Sequence, residues 1–174
     1  VRWQMRANCN YKEEIILSGK VDITPFYEYR AFRYIEIENA PEEVVVWVEE
    51  RHYPFDNTKT LFYSTDNELT NIWNICQLGV RLCSQEVFVD CPSREKGQYL
   101  GDAVITSRSF MWLTGDTTLT KKSLIDFYLS SRIDPGLTAV APSGFIQEFA
   151  EYSLQYPLML WEYYRHSGDK EFLQ

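Results

Sequence analysis

Histidine is scarce in this chain, with only His52 and His166 among 174 residues. The four cysteines, Cys9, Cys76, Cys83 and Cys91, lack the paired spacing of a structural zinc site and have no histidine close by. No cluster in the sequence therefore implies a metal or an organic cofactor. Cys76 and Cys83 stand seven apart, share a helical face and read as small hydrophobes, so a disulfide framework is not expected. Basic residues are outnumbered, 17 against 25 acids, which gives a formal charge of -8. That balance argues against nucleic acid and anionic membrane surfaces as partners, and it suits an uncharged one. Long apolar runs are missing too, none approaching the ~20 residues of a bilayer span. Val1-Arg2-Trp3-Gln4 is neither a methionine start nor a signal peptide, so the chain is expected to be an internal piece of a longer protein. Compartment and oligomeric state stay open.

Apolar and aromatic residues are plentiful, at 45% and 16% of the chain, enough for a core in one large or two small domains. Residues 1–63 have strand character. Glu13–Leu17, Phe32–Glu38 and Glu43–Glu49 are short β-branched or aromatic runs, separated by turn signals such as Ser18-Gly19 and Asn39-Ala40-Pro41. Such a series predicts part of an antiparallel β-sandwich. From Ser64 the period changes. Thr65-Asp66-Asn67-Glu68 reads as a capping box, with Thr65 as the cap. Leu69, Ile72, Trp73, Cys76, Val80 and Cys83 then fall on one stripe, predicting a helix over about 66–84. Further helices are predicted over 103–113, from Asp116 to Arg132, and from Ser153 onward with Leu154, Leu158, Trp161 and Tyr164 on its buried side. Thr114-Gly115-Asp116 and Ser167-Gly168-Asp169 mark equivalent helix ends with a period of 53, which fits stacked helical hairpins. The fold class expected is α+β, with strands over 1–63 and helices over 64–174.

Between the first two helices lies Asp90-Cys91-Pro92-Ser93-Arg94-Glu95-Lys96-Gly97-Gln98-Tyr99-Leu100-Gly101-Asp102. Proline and two glycines disfavour a continuous helix through it, so three carboxylates, an arginine and a tyrosine sit on a loop between rigid elements. By composition alone this is equally a solvated loop with ordinary ion pairs.

The order of the residues is more specific than their composition. Asp90, Cys91, Pro92, Arg94, Glu95, Tyr99, Gly101 and Asp102 resemble the motif of the bacterial α-L-rhamnosidases of glycoside hydrolase family 78. Phe26–Ile35 also resembles the sandwich domain that precedes the catalytic barrel in that family. The resemblance implies the C-terminal part of a β-sandwich domain at 1–63 and the first helices of an (α/α)6-barrel catalytic domain at 64–174. It implies inverting release of terminal L-rhamnose from a glycoside or polysaccharide, and no cofactor. By the same resemblance Glu95 is the general acid and Asp90 and Asp102 hold rhamnose hydroxyls. The general base is expected beyond residue 174, leaving this piece alone inactive. Glycoside hydrolysis needs one carboxyl that keeps its proton, so that group should be buried or beside negative charge. Arg94 and Lys96 would oppose this if they faced Glu95, so Arg94 is expected to bind a sugar hydroxyl or an aspartate. Tyr99 stands where many relatives carry tryptophan, and still offers a ring to a sugar face. Tyr152, in a segment resembling an Asp-Trp-Ser stretch of the family, lines the pocket or packs in the core. Glu148 and Glu151 are loop acids or a solvated helix start. Two alternatives remain: a rhamnose-binding module without catalysis, and a different α/α-barrel glycosidase.

Overall fold

The computed structural model describes residues 11–20, 29–41, 43–132, 139–142 and 149–174. Cys9, Phe26–Glu28 and Glu148 lie outside the described residues. Five helices carry the fold: α1 (Asn67–Cys83), α2 (Leu100–Thr114), α3 (Thr118–Ser130), α4 (Ala150–Ser153) and α5 (Tyr156–Ser167), followed by a 3-10 turn at Glu171–Leu173.

The expected β-sandwich is overturned. Among the described residues there is no strand, only isolated antiparallel bridges at Ser84–Phe88 and Tyr99–Val140. The runs at 13–17, 32–38 and 43–49 form no strand ladder, and side chains such as Ile16, Tyr34 and Val45 are exposed. Strand propensity mostly reflects packing against cross-strand neighbours, and without them an apolar run remains a coil. The described fold is helical.

α1 begins as its sequence suggests, but with a different cap. Asp66 rather than Thr65 is the N-cap, its Oδ1 accepting from the Glu68 amide at 2.8 Å and the Leu69 amide at 3.4 Å. A carboxylate there also opposes the positive end of the helix dipole. Asp66→Ala should therefore cost about 1 kcal/mol, seen as a lowered urea midpoint; an unchanged midpoint would deny the cap its role. No α1 residue is buried, and Leu69, Ile72 and Ile75 among its apolar residues are exposed.

α2 is the hub, touching α1, α3, α4 and α5. It starts at Leu100, three residues before the predicted start, because Leu100 N–H donates to Ala139 O at 2.8 Å and fixes the first turn. Its Leu100, Ala103, Val104 and Phe110 pack with Leu119, Leu124 and Phe127 of α3 and Met159 and Tyr163 of α5. Tyr53, Phe55 and Phe88 surround Phe110, with ring centroids 5.8, 5.9 and 5.7 Å away. Thr60 Oγ1 donates to the carbonyls of Trp112 and Leu113 near the end of α2. The segment before α1 is thus fastened to the helical core. On α5 the buried side is Met159 and Tyr163, whereas Leu158 and Trp161 of the same helix, and Leu154 at the end of α4, are exposed. Pro157 sits in the first turn, where its missing donor costs nothing.

The 53-residue repeat has a structural counterpart. Gly115 and Gly168 both close their helices in the left-handed region at φ 69°, donating to Met111 O and Tyr164 O. The following aspartates are held alike, Asp116 N–H by Thr114 Oγ1 and Asp169 N–H by Ser167 Oγ. Asp116 then accepts from Thr118 N–H at 2.8 Å, serving the start of α3 from just outside its N-cap, Thr117. Asp169 instead binds Lys121 Nζ at 2.7 Å and Tyr163 Oη at 2.9 Å, tying α3 to the end of α5.

Candidate functional site

The loop between α1 and α2 closes on itself at Asp90 and Gly97. Asp90 N–H donates to Gly97 O, and Asp90 Oδ1 accepts from Gly97 N–H, each at 2.9 Å. Residues 92–95 form the turn inside this neck, and Lys96 reverses the chain with φ 49°, an unusual value for a side-chain-bearing residue. The Tyr99 ring folds back so closely that a Cβ on Gly97 would lie 3.1 Å from its Cε2.

Within the neck, Cys91 Sγ lies 2.8 Å from Glu95 Oε2 and also accepts from the Glu95 amide at 3.3 Å. Arg94 Nε is 3.4 Å from the same carboxylate oxygen, so against expectation Arg94 faces Glu95 and, among the described residues, not an aspartate. One ligating atom each from Asp90, Cys91 and Glu95 falls within 4.8 Å of the others. The thiol spends its proton on Glu95, and Asp90 Oδ1 is taken up by the Gly97 amide, so hydrogen bonding accounts for this grouping. Lys96 turns away, donating from Nζ to Tyr29 O at 2.9 Å and lying 4.5 Å from the Tyr29 ring centroid.

Electrostatics separate the carboxylates. The Cys91 hydrogen bond, with help from the Glu95 amide and Arg94, holds the Glu95 carboxyl below the usual glutamate range. Asp102, in the first turn of α2, is pushed up by burial and by the negative charges of Asp90 and Glu95. The Tyr99 hydroxyl is raised by burial and then by Asp90, Glu95, Cys91 and Asp102, which places it in the field of the whole group. Asp90, Arg94, Glu95, Tyr99 and Asp102 are therefore gathered at one place. Tyr152 arrives from α4: a Cβ on Gly101 would stand 2.8 Å from its Cε1, so its ring lies directly on the first turn of α2, next to Asp102 in sequence.

Two neighbours escape a reading of the sequence, and Cys91, though part of the motif, makes a contact that the sequence does not reveal. Gln98 is 1% exposed and fully bonded, its Oε1 accepting from Phe88 N–H and Ser123 Oγ and its Nε2 donating to Ala141 O. Tyr29 buries its hydroxyl without a hydrogen-bond partner among the described residues, and burial, Cys91, Glu86 and Asp90 push it up to about 12. Cys91 bonds to the very residue the motif singles out. A glutamine among charged residues and a tyrosine 61 positions before Asp90 give no local signal of such placement. A depression of about 200 Å³ lined by Phe55, Asn57, Asn74, Gln77, Leu78 and Arg81 shares no residue with the loop.

Among the described residues no helix is long and apolar enough to cross a membrane. Comparison with curated proteins and with solved structures gave no match. Residues 57–174, well over half of the chain, match the bacterial alpha-L-rhamnosidase 6 hairpin glycosidase domain. With helices closed by a repeated glycine–aspartate end and acids gathered between the first two of them, the chain belongs to the bacterial alpha-L-rhamnosidase family through its six-hairpin glycosidase domain.

Proposed function

We propose that the 90–102 loop serves the inverting hydrolysis of terminal L-rhamnose from glycosides or polysaccharides. In this reading Glu95 delivers a proton to the leaving oxygen, while Asp90, Arg94 and Asp102 bind rhamnose hydroxyls. Tyr99 and Tyr152 supply aromatic faces to the sugar. The observation that carries the reading is the short neck from Asp90 to Gly97, which gathers Asp90, Arg94 and Glu95 on one turn just ahead of Asp102 in the first turn of α2. Acid-assisted glycoside cleavage needs a pair of carboxyls held near one another. A sugar is also the uncharged partner that suits a chain of formal charge -8.

A second reading exchanges two roles. Asp102 is the carboxyl whose proton is favoured by burial and neighbouring charge, which is the state a general acid must occupy near neutral pH. Glu95 would then be the ionised partner that binds the sugar.

The first test is release of L-rhamnose from an aryl α-L-rhamnoside by the intact protein, followed by the anomeric form of the sugar at early times. Release with inversion is the expected result. Rhamnose binding without release would favour a binding module, and release of a different sugar alone would point to another glycosidase.

A further inference from the structure

We propose that Cys91 is a positioning residue for Glu95, its thiol clamping one carboxylate oxygen while its sulfur receives the Glu95 amide. This rests on the reading of the loop as the catalytic one. Two contacts run in opposite directions between the same pair: Sγ to Oε2 at 2.8 Å and the Glu95 amide to Sγ at 3.3 Å. Together they close a small ring that fixes both the backbone and the side chain of Glu95. Proline at 92 fixes the φ of the residue after Cys91, which stiffens the turn that brings residues 91 and 95 together.

The groups facing Glu95 can be named. Cys91 and Arg94 touch its Oε2, and an oxygen of Asp90 lies within 4.8 Å. Tyr99 and Asp102 sense its charge from the start of α2, and Lys96 Nζ donates to Tyr29 O. Of these side chains, Cys91 and Arg94 face the carboxylate oxygen as donors, and both favour its ionised form. A thiol donor gives this bond in a compact, weakly hydrated form, and a hydroxyl at the same position would keep the donor. Removing the donor lets Glu95 hold its proton to higher pH.

The test is a carboxyl-carbon NMR titration of Glu95 in the intact protein, comparing wild type, Cys91→Ala and Cys91→Ser, with the resonance assigned by its loss in Glu95→Gln. The expected result is a midpoint that rises in Cys91→Ala and stays near wild type in Cys91→Ser. The alkaline limb of kcat/KM for an aryl rhamnoside should rise in step in Cys91→Ala only. A purely structural loss would lower kcat/KM without moving that limb. An unmoved midpoint in Cys91→Ala, or a wild-type midpoint at or above the ordinary glutamate value, would overturn the proposal. The second of these needs no variant, so it decides even where Cys91→Ala does not fold. Turnover of rhamnosides with an unmoved midpoint would remove the Cys91 pairing alone. Absence of turnover with the midpoints moving as expected would instead remove the glycosidase reading and keep the pairing.

Discussion

Replacing Glu95 by glutamine should lower kcat on an aryl α-L-rhamnoside by about 10²–10⁴-fold, the usual contribution of a positioned proton donor. Glutamine keeps the size and one acceptor oxygen, so Cys91 can still donate to it and the turn should hold. The loss should depend on the leaving group. A phenol that departs readily as its anion needs little protonation, so the deficit should shrink with it and grow with a poor leaving group. Rhamnose affinity should change little. Asp102→Asn is the partner measurement, because burial and the charges of Asp90 and Glu95 favour the proton on Asp102. If Asp102→Asn shows the leaving-group dependence and Glu95→Gln does not, the acid is Asp102. A Glu95→Gln enzyme with full activity would take Glu95 out of the chemistry altogether.

What could be read from the sequence follows the range of the forces involved. Helix ends are local, and Gly115 and Gly168 were readable because only a residue tolerant of positive φ closes a helix that way. The motif was readable because its residues are consecutive and the neck from Asp90 to Gly97 is short. Burial was not local. Leu154, Leu158 and Trp161 keep helical spacing but face solvent, while Met159 and Tyr163 of the same segment reach α2 and α3. Periodicity names a stripe, and only the neighbours decide which stripe is covered. The strands failed for the same reason, since alternation and β-branching at 32–49 describe a half-built surface whose other half is not supplied by any described residue. The capping residue shifted by one, from Thr65 to Asp66, because both are good caps and the carboxylate adds charge against the dipole.

Gln98 shows most sharply how the loop depends on distant partners, and its truncation should be the most damaging single change to the fold around the site. The side chain joins four residues from three parts of the chain: Phe88 before the loop at 3.2 Å, Ser123 and Asp126 of α3 at 2.6 and 3.5 Å, and Ala141 at 2.7 Å. Its backbone carbonyl also accepts from the Ala141 amide at 3.1 Å. Gln98→Ala would strand the Phe88 amide, the Ser123 hydroxyl and the Ala141 carbonyl in a site that is 1% exposed. A stranded buried group costs about 1–3 kcal/mol, so with three such groups the expected loss is at least about 3 kcal/mol. Glutamate is no remedy, because it removes the donor to Ala141 and sets a carboxylate toward Asp126. Urea unfolding should show the loss, and amide exchange at Phe88 should accelerate, since that N–H gives up its buried acceptor. Activity should fall with it, because Asp90 and Glu95 lie between Phe88 and Gln98 and inherit their placement from both ends. A Gln98→Ala protein within about 1 kcal/mol of wild type would mean that a water or a shifted side chain satisfies these groups at little cost.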